Sequence, residues 1–281
     1  MKKILFFIFA SSFLLVNAVE AQIISFSPPK IFTVGRGPLF TFVSDLNSDG
    51  KLDFAVANLF DDFISILFGD NQTNFITQNI KVIARPFSIV VADFDEDQNI
   101  DLAVSSLATD SNFNNIVILF GDGNGSFVRQ SRFSVGTFQP QLVFIAKGDF
   151  NEDGHVDLIV SNFSQNLIHV LFGNGLGDFT KSGDLFPGSA PVGIGIDDFN
   201  KDGHLDLVVT NAESNFVSVF LGNGYGNFTG PINIVVGFSY RSVVVKDLDK
   251  DGNVDLVISG QGTTVLFGDG NGSFINQKTY P

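Results

Sequence analysis

Short apolar runs alternate with polar turns along most of this chain. The clearest example spans residues 192–196, 205–209 and 216–221, where apolar residues alternate with small or polar ones and β-branched or aromatic types dominate. This is the pattern of β-strands. A fourth, less regular run at 228–236 follows a Gly/Asn-rich turn, and Asn-Gly steps favour tight hairpins because both residues tolerate positive φ. The pattern therefore predicts four strands per unit.

A nine-residue acidic phrase lies between the first and second runs of each unit. It begins at Asp45, Asp93, Asp149, Asp198 and Asp247, with spacings of 48, 56, 49 and 49 residues. Four short strands repeated at this period, with no helical pattern, predict an all-β fold. We expect a β-propeller of five four-stranded blades, with a metal-binding loop between the first and second strands of each. A β-sandwich with coincidental repeats is the alternative, and two motifs recurring in constant order argue against it.

The amino terminus has the features of a signal peptide. Lys2 and Lys3 precede an apolar segment at 4–16 and small-residue cleavage sites near 18 and 21. The apolar segment is shorter than the roughly 20 residues of a membrane span, although a retained anchor is the alternative. We predict a signal peptide over 1–21 and a secreted, extracellular propeller over 22–281, with no membrane span after signal removal. Its repeats lie at about 26–74, 75–126, 127–178, 179–227 and 228–281.

The acidic residues are concentrated in the repeated phrase. The chain has a formal net charge of −14 and no cysteine, so packing and bound metal, rather than disulfides, would have to stabilise a secreted fold. Positions 1, 3, 5 and 9 of the five phrases carry 17 of the 30 acidic residues. This charge argues against a nucleic-acid partner, because phosphates would be repelled.

The phrase has the spacing of a calcium loop. Oxygen side chains at positions 1, 3 and 5 converge on one ion when a turn folds the loop back, and glycine at position 6 adopts the positive φ that the turn needs. Position 7 would contribute its carbonyl oxygen and position 9 would complete the shell. All-oxygen ligands favour calcium over zinc or copper, and magnesium prefers to keep its waters. Position 12 is apolar in every copy, which excludes an EF-hand. The alternative is that these are simply good turns.

The predicted ligands are the side chains or carbonyls of positions 1, 3, 5, 7 and 9 in the five loops. They are Asp45, Asn47, Asp49, Lys51 and Asp53; Asp93, Asp95, Asp97, Asn99 and Asp101; Asp149, Asn151, Asp153, His155 and Asp157; Asp198, Asn200, Asp202, His204 and Asp206; and Asp247, Asp249, Asp251, Asn253 and Asp255. We therefore expect up to five calcium ions. The second site is the doubtful one, because Gln98 replaces the glycine while four aspartates fill the liganding positions.

The repeated units of this chain resemble the FG-GAP repeats, also called VCBS repeats, of the integrin α-chain head and of many secreted proteins. The resemblance rests on the five acidic phrases, on Leu-Phe-Gly-Asn/Asp-Gly turns downstream of them, and on Pro86, Pro140 and Pro191 before the inner strands. It covers residues 26–274. It implies calcium-bound propeller blades and a role in adhesion or recognition, although integrin heads resemble seven-bladed discs and five units occur here.

No catalytic motif stands out in the sequence. His155 and His204 occupy position 7, where only the backbone is needed, and His169 lies in a third strand at a site filled elsewhere by Ser, Val or Thr. No nucleophile elbow, zinc-type histidine cluster or phosphate loop occurs. We expect a monomeric recognition or adhesion module for an extracellular protein or glycan, with a lectin-like propeller or a polysaccharide lyase or hydrolase as alternatives.

Five Asn-X-Ser/Thr sequons are candidates for glycosylation in a eukaryotic host. They begin at Asn71, Asn124, Asn162, Asn227 and Asn271. Four of them fall in the Gly/Asn turn, so turn chemistry alone also accounts for them.

The ends of the chain suggest how a ring would close. Residues 23–34 lie in phase with the outer strands at 75–83 and 228–236, whereas the outer segment of the fifth unit stops soon after Phe274. We therefore expect the amino-terminal strand to complete the last blade and close the disc, which would remove open sheet edges. The alternative is an open or incomplete propeller.

Overall fold

The computed structural model describes residues 29–70, 74–82, 85–107, 116–135, 142–237 and 240–280. The predicted signal peptide and Asn71 lie outside these ranges. No helix occurs in the described ranges, so none of those residues forms a helical membrane span.

Twenty strands form five antiparallel sheets of four strands each, as the repeat predicted. Blade 1 is β1 (Pro38–Ser44), β2 (Asp53–Asn58), β3 (Phe63–Gly69) and β4 (Phe75–Lys81). Blade 2 is β5 (Pro86–Ala92), β6 (Asp101–Ser106), β7 (Ile116–Phe120) and β8 (Arg129–Phe133). Blade 3 is β9 (Leu142–Gly148), β10 (Asp157–Asn162), β11 (Leu167–Gly173) and β12 (Phe179–Leu185). Blade 4 is β13 (Pro191–Asp197), β14 (Asp206–Asn211), β15 (Phe216–Gly222) and β16 (Phe228–Val235), and blade 5 is β17 (Ser242–Lys246), β18 (Asp255–Ser259), β19 (Thr263–Gly268) and β20 (Phe274–Tyr280).

Within each blade, strands pair in chain order from the inner strand to the outer strand. The acidic phrase joins the first strand to the second, and its last aspartate is the first residue of the second strand in every blade. The Gly/Asn turn joins the third strand to the fourth. The fold is therefore the predicted five-bladed β-propeller architecture.

The hydrophobic core lies between blades. Successive side chains of a strand point to opposite faces, so an inner strand that is apolar at every position can pack on both sides. In β5, Ile89 and Val91 pack towards blade 1, while Val90 and Ala92 pack towards blade 3. The same arrangement gives four core clusters among the described residues, one between each pair of successive blades.

The two ends of the array do not pack together. The inner strand of each blade packs on that of the next, from β1 to β17, but no packing of that extent joins β17 to β1 in the described structure. The outward face of blade 1 leaves Leu39 and Val43 exposed, and that of blade 5 leaves Val244 exposed. The equivalent positions that the structure describes in the internal blades are buried or half-buried, so the described residues form an open five-blade array whose end faces expose these apolar side chains.

The expectation that the amino-terminal strand completes the last blade is wrong. The outer strand of blade 5 is β20, which pairs with β19 from Thr263↔Tyr280 to Gly268↔Phe274. Of the predicted amino-terminal segment, residues 23–28 lie outside the described ranges, and residues 29–34 form no strand. Instead, the Phe32 ring packs edge-on against Phe75 of blade 1, with ring centroids 4.8 Å apart. The seven residues of β20 are enough to form the outer strand of blade 5, the position that we expected the amino-terminal segment to fill.

An alanine comparison tests whether the array is open in solution. Val90 and Val244 occupy the same position, three residues before the acidic phrase, but Val90 is 7% exposed and Val244 is 53% exposed. Removing two buried methyl groups costs about 2 kcal/mol. Val90→Ala should therefore lower the free energy of unfolding by about that amount, whereas Val244→Ala should leave it nearly unchanged. Equal losses in urea titrations of the two variants would show that blade 5 is covered.

Candidate metal centres in the acidic loops

The aspartate at position 9 joins three parts of each blade. In blade 1, one oxygen of Asp53 accepts from the backbone N–H of Leu46 at 2.9 Å and the other from Gly69 N–H at 2.8 Å. The side chain is fully buried. The equivalent residues Asp101, Asp157, Asp206 and Asp255 make the same two bonds at 2.8–2.9 Å. This carboxylate therefore ties the acidic loop to the end of the third strand.

The glycine that ends the third strand is required by close backbone approach. A Cβ atom on Gly173 would lie 2.2 Å from the carbonyl oxygen of Val156, and one on Gly222 would lie 2.2 Å from that of Leu205. Any side chain would push the strand away from the loop. The glycine that begins each Gly/Asn turn, as in Phe172-Gly173 and Leu221-Gly222, thus positions the N–H that the buried aspartate binds.

Position 1 closes each loop on itself. In the fourth loop, Asp198 accepts the N–H of Gly203 at 2.8 Å and that of Asp202 at 3.2 Å, and Asp202 accepts the N–H of His204 at 2.9 Å. Position 6 has positive φ in all five loops, including Gln98 at 72°. A Cβ at the glycines in this position would meet no atom within 4 Å, so Gln98 has room and its cost is the left-handed backbone alone.

Carboxylates converge most closely in the second and fifth loops. Asp93, Asp95 and Asp101 offer oxygens that all lie within 4.8 Å of one another, and Asp247, Asp249 and Asp255 do the same. These are positions 1, 3 and 9. In the other three loops position 3 is asparagine, and the position 5 aspartates do not belong to either cluster. Grouped oxygen donors of this kind can hold a hard cation.

Adjacent loops are joined by residues that the sequence analysis did not single out. Glu96, at position 4 of the second loop, lies 2.5 Å from His155 Nδ1 of the third, and Glu152 lies 2.5 Å from His204 Nδ1 of the fourth. These hydrogen bonds, helped by the glutamate charge, raise the pKa of both histidines. The expectation that position 7 uses only its backbone overlooked this pairing. The sequence did contain a signal for this pairing. In both cases a glutamate at position 4 of one loop is followed by a histidine at position 7 of the next loop.

The Gly/Asn turns also contact the preceding blade. Gly226 N–H of blade 4 donates to the Phe150 carbonyl of blade 3 at 2.8 Å, and Gly272 N–H of blade 5 donates to the Phe199 carbonyl of blade 4 at 2.9 Å. A Cβ on Gly226 would lie 2.0 Å from the Phe172 ring. Each turn therefore needs glycine to lie against the loop and third strand of its neighbour.

His169 belongs to a hydrogen-bond chain that links the strands of blade 3. It is fully buried in β11, where its Nδ1 lies 2.5 Å from Asp184 and its Nε2 lies 3.1 Å from the Asn162 amide. Ser218 occupies the same position in blade 4, between Asn211 and Asn233. The polar chain thus links second, third and fourth strands in both blades.

Four of the five sequon asparagines lie among the described residues, and they differ in accessibility. Asn124, Asn227 and Asn271 are exposed in hairpin turns, whereas Asn162 is buried. The Asn162 amide also donates to Gln165 at 2.8 Å. A glycosyltransferase could therefore reach the three turn residues but not Asn162 in the folded protein.

Burial raises the pKa of the position 9 carboxylates in the first four loops. It raises the pKa of Asp101, Asp157 and Asp206 to about 6, with the aspartates at positions 5 and 1 adding to the effect and the two backbone N–H donors opposing it. Burial raises the pKa of Asp53 as well. The ionised form of each carboxylate therefore lacks sufficient positive charge nearby, which a bound cation would supply.

Comparison with known proteins agrees with the repeat assignment. The family model of the FG-GAP-like repeat matches residues 45–104 and 198–258. The first match spans the first and second loops, and the second spans the fourth and fifth. The resemblance drawn from the motifs is thus confirmed. No curated protein matches the sequence.

Solved structures share the architecture at low identity. A functionally unknown protein from Desulfotomaculum acetoxidans is 14% identical, with a TM-score of 0.64 over 88% of this chain and 71% of that chain. A Lactobacillus plantarum protein is 14% identical, with a TM-score of 0.60 over 88% and 72%. The biofilm matrix protein Bap1 of V. cholerae is 18% identical, with a TM-score of 0.49 over 86% of this chain and 39% of that chain. The first two bear on the fold alone, and the third is too distant to argue from.

The raised pKa values predict how the metal-free protein responds to pH. The folded pKa of Asp101, Asp157 and Asp206 lies above the usual value of 3.8, so folding favours their protonated forms. Their contribution is favourable at low pH and is lost as pH rises through about 6. His155 and His204 act in the same direction, and buried His169, whose pKa is lowered, opposes them.

In EDTA, the melting temperature should therefore be several degrees higher at pH 5 than at pH 7.5. Differential scanning calorimetry across this range measures the difference. A melting temperature that falls steadily from pH 7.5 to pH 5 would contradict the conclusion that these buried carboxylates have raised pKa values and lack a compensating positive charge.

Proposed function

We propose that this propeller of FG-GAP-like repeats is a secreted recognition or adhesion module whose acidic loops bind calcium. The observation that carries the proposal is the recurrence, in all five blades, of one loop in which side-chain oxygens surround a buried aspartate. Its ligand would be an extracellular protein or a glycan.

The donor set supports calcium. The side chains at positions 1, 3, 5 and 9 are all aspartate or asparagine, and hard oxygen ligands in a flexible loop suit calcium better than zinc or copper. The raised pKa of three position 9 carboxylates supports the same proposal, because a divalent cation would stabilise their ionised forms. Asp45, Asp149, Asp198 and Asp247, with the position 3 and position 9 side chains of their loops, would hold the ions.

A recognition role is supported by the surface that the turns present. Leu176 and Tyr225 occupy equivalent tips of the Gly/Asn turns in blades 3 and 4, and both are largely exposed. The glycines around them pack on the neighbouring blade, so a rigid scaffold presents these variable side chains. Binding residues are often placed in this way.

Calcium removal should lower the stability of the fold. Without cations the grouped carboxylates repel one another, and at free calcium ten times the dissociation constant each independent site would add about 1.4 kcal/mol. We expect EDTA to lower the melting temperature at pH 7.5, and calcium to restore it better than magnesium. An identical melting curve in EDTA and in calcium would contradict the proposal.

A single loop can be tested with a matched control. Asp202→Ala removes a position 5 carboxylate that accepts the His204 N–H at 2.9 Å, so it should reduce the calcium-dependent rise in melting temperature. Asp178→Ala removes an exposed carboxylate outside the loops and should leave that rise intact. Equal effects of the two substitutions would argue for general charge screening rather than a site.

The ligand class can be examined on a glycan array and on immobilised extracellular proteins, using the protein in calcium and in EDTA. Calcium-dependent binding without turnover, weakened by Tyr225→Ser, is the result expected of a recognition module. Release of unsaturated product from an acidic polysaccharide would instead establish an enzyme.

A further inference from the structure

Blade 2 combines three departures from the other repeats around its acidic loop. Gln98 replaces the position 6 glycine, Asp95 places a fourth aspartate among the liganding positions, and Arg129 follows the Gly/Asn turn. The fifth loop shares the fourth aspartate, as Asp249, but has Gly252 at position 6. Two features therefore distinguish these two loops of equal charge, Gln98 and Arg129, and only the arginine carries a charge.

Strand register places Arg129 beside the loop. Arg129 of β8 pairs directly with Phe120 of β7, and directly paired residues lie on the same face of a sheet. The guanidinium carbon lies 3.6 Å from the centroid of the Phe120 ring, and an Arg129 Nη atom contacts Asp95 Oδ2. The residues at this register position in the other blades are uncharged: Ile76, Thr180, Thr229 and Asn276.

The other oxygen of Asp95 shows that this contact leaves the loop incompletely satisfied. The Asp95 side chain is only 9% exposed, and its Oδ1 atom is buried with no hydrogen-bond partner. A buried, unpaired carboxylate oxygen is costly. Asp95 belongs to the same cluster as the Asp93 and Asp101 carboxylates, so this cluster contains a buried oxygen that has no hydrogen-bond partner.

We propose that Arg129 is a built-in counter-ion of the second loop, which competes with the metal and makes this loop the weakest calcium site. The inference rests on the proposed calcium binding of the loops. A guanidinium on Asp95 neutralises one carboxylate in the absence of metal, and it must leave Asp95 before that carboxylate can ligate an ion. The arginine also repels the incoming cation.

The structure offers the arginine a place to move. A groove of about 450 Å³ lies beside it and is lined in part by Asp97, Asp122 and Val128. The guanidinium can therefore move away from Asp95 into this groove, where it stays in contact with solvent and does not enter the hydrophobic core. The second loop would thus fill after the third, fourth and fifth loops, whose predicted ligands pair with no lysine or arginine among the described ion pairs, whereas Lys51 pairs with Asp49 in the first loop.

Calorimetric calcium titration of three variants tests this inference. Arg129→Gln should tighten one site about tenfold, the effect of losing a partly exposed ion pair and a like charge. Adding Asp93→Ala to that variant should abolish the tightened site, which identifies it as the second loop. Arg132→Gln is the control and should change nothing, because Arg132 is an exposed arginine on the same strand whose guanidinium donates to Gln130 Oε1 at 3.1 Å.

The reciprocal change belongs to the fifth loop. Asn276→Arg places an arginine at the same register position beside an equally acidic cluster, and it should weaken one site by a similar factor. The role of the arginine would be overturned if the wild type binds calcium and neither Arg129→Gln nor Asn276→Arg changes the affinity of any site. No calcium binding by the wild type or by Arg129→Gln would instead overturn the proposed function, and this inference with it.

Discussion

Each blade depends on one buried aspartate that binds two backbone amides from opposite ends of the loop region. Asp206, for example, holds the N–H groups of Phe199 and Gly222 at 2.8 Å. A buried carboxylate is stable only when hydrogen bonds or cations compensate its charge. The two amides do so in part, and the raised pKa of Asp206 shows that they are not sufficient. The need for positive charge at this point connects the fold of the blade to the proposed metal binding.

The same region connects one blade to the next. The Glu96–His155 and Glu152–His204 pairs join successive loops, and the turn of blade 4 donates a hydrogen bond to the loop of blade 3. Apolar packing between blades lies directly beneath these polar contacts. An ion that orders one loop would therefore also stabilise the adjacent blades. This is expected of a repeat protein in which the interfaces between neighbouring repeats contribute to stability. Among the residues that the structure describes, the end faces of blades 1 and 5 lack such a neighbour.

Much of this structure could be predicted from the sequence, because its determinants are local and repeated. Period-2 alternation predicted the strands, and the acidic phrase predicted a loop that begins and ends at Asp45 and Asp53. The sequence offered an open array only as the alternative to a closed disc, because blade spacing depends on packing geometry summed over four interfaces. The outer strand of blade 5 was missed because the segment after Phe274 looked too short, although the seven residues of β20 are sufficient to form the strand. Arg129 was missed because it is 34 residues from Asp95 in sequence, and only strand register brings them together.

The central claim is that cations complete the coordination of the grouped loop oxygens, and crystallography with anomalous scattering tests it most directly. Crystals grown in calcium, measured at a long X-ray wavelength, should show an anomalous peak in the first, third, fourth and fifth loops, next to Asp45, Asp149, Asp198 and Asp247. Each peak should lie 2.3–2.6 Å from its oxygen ligands. Well-ordered loops that contain only water in these positions at saturating calcium would contradict the account.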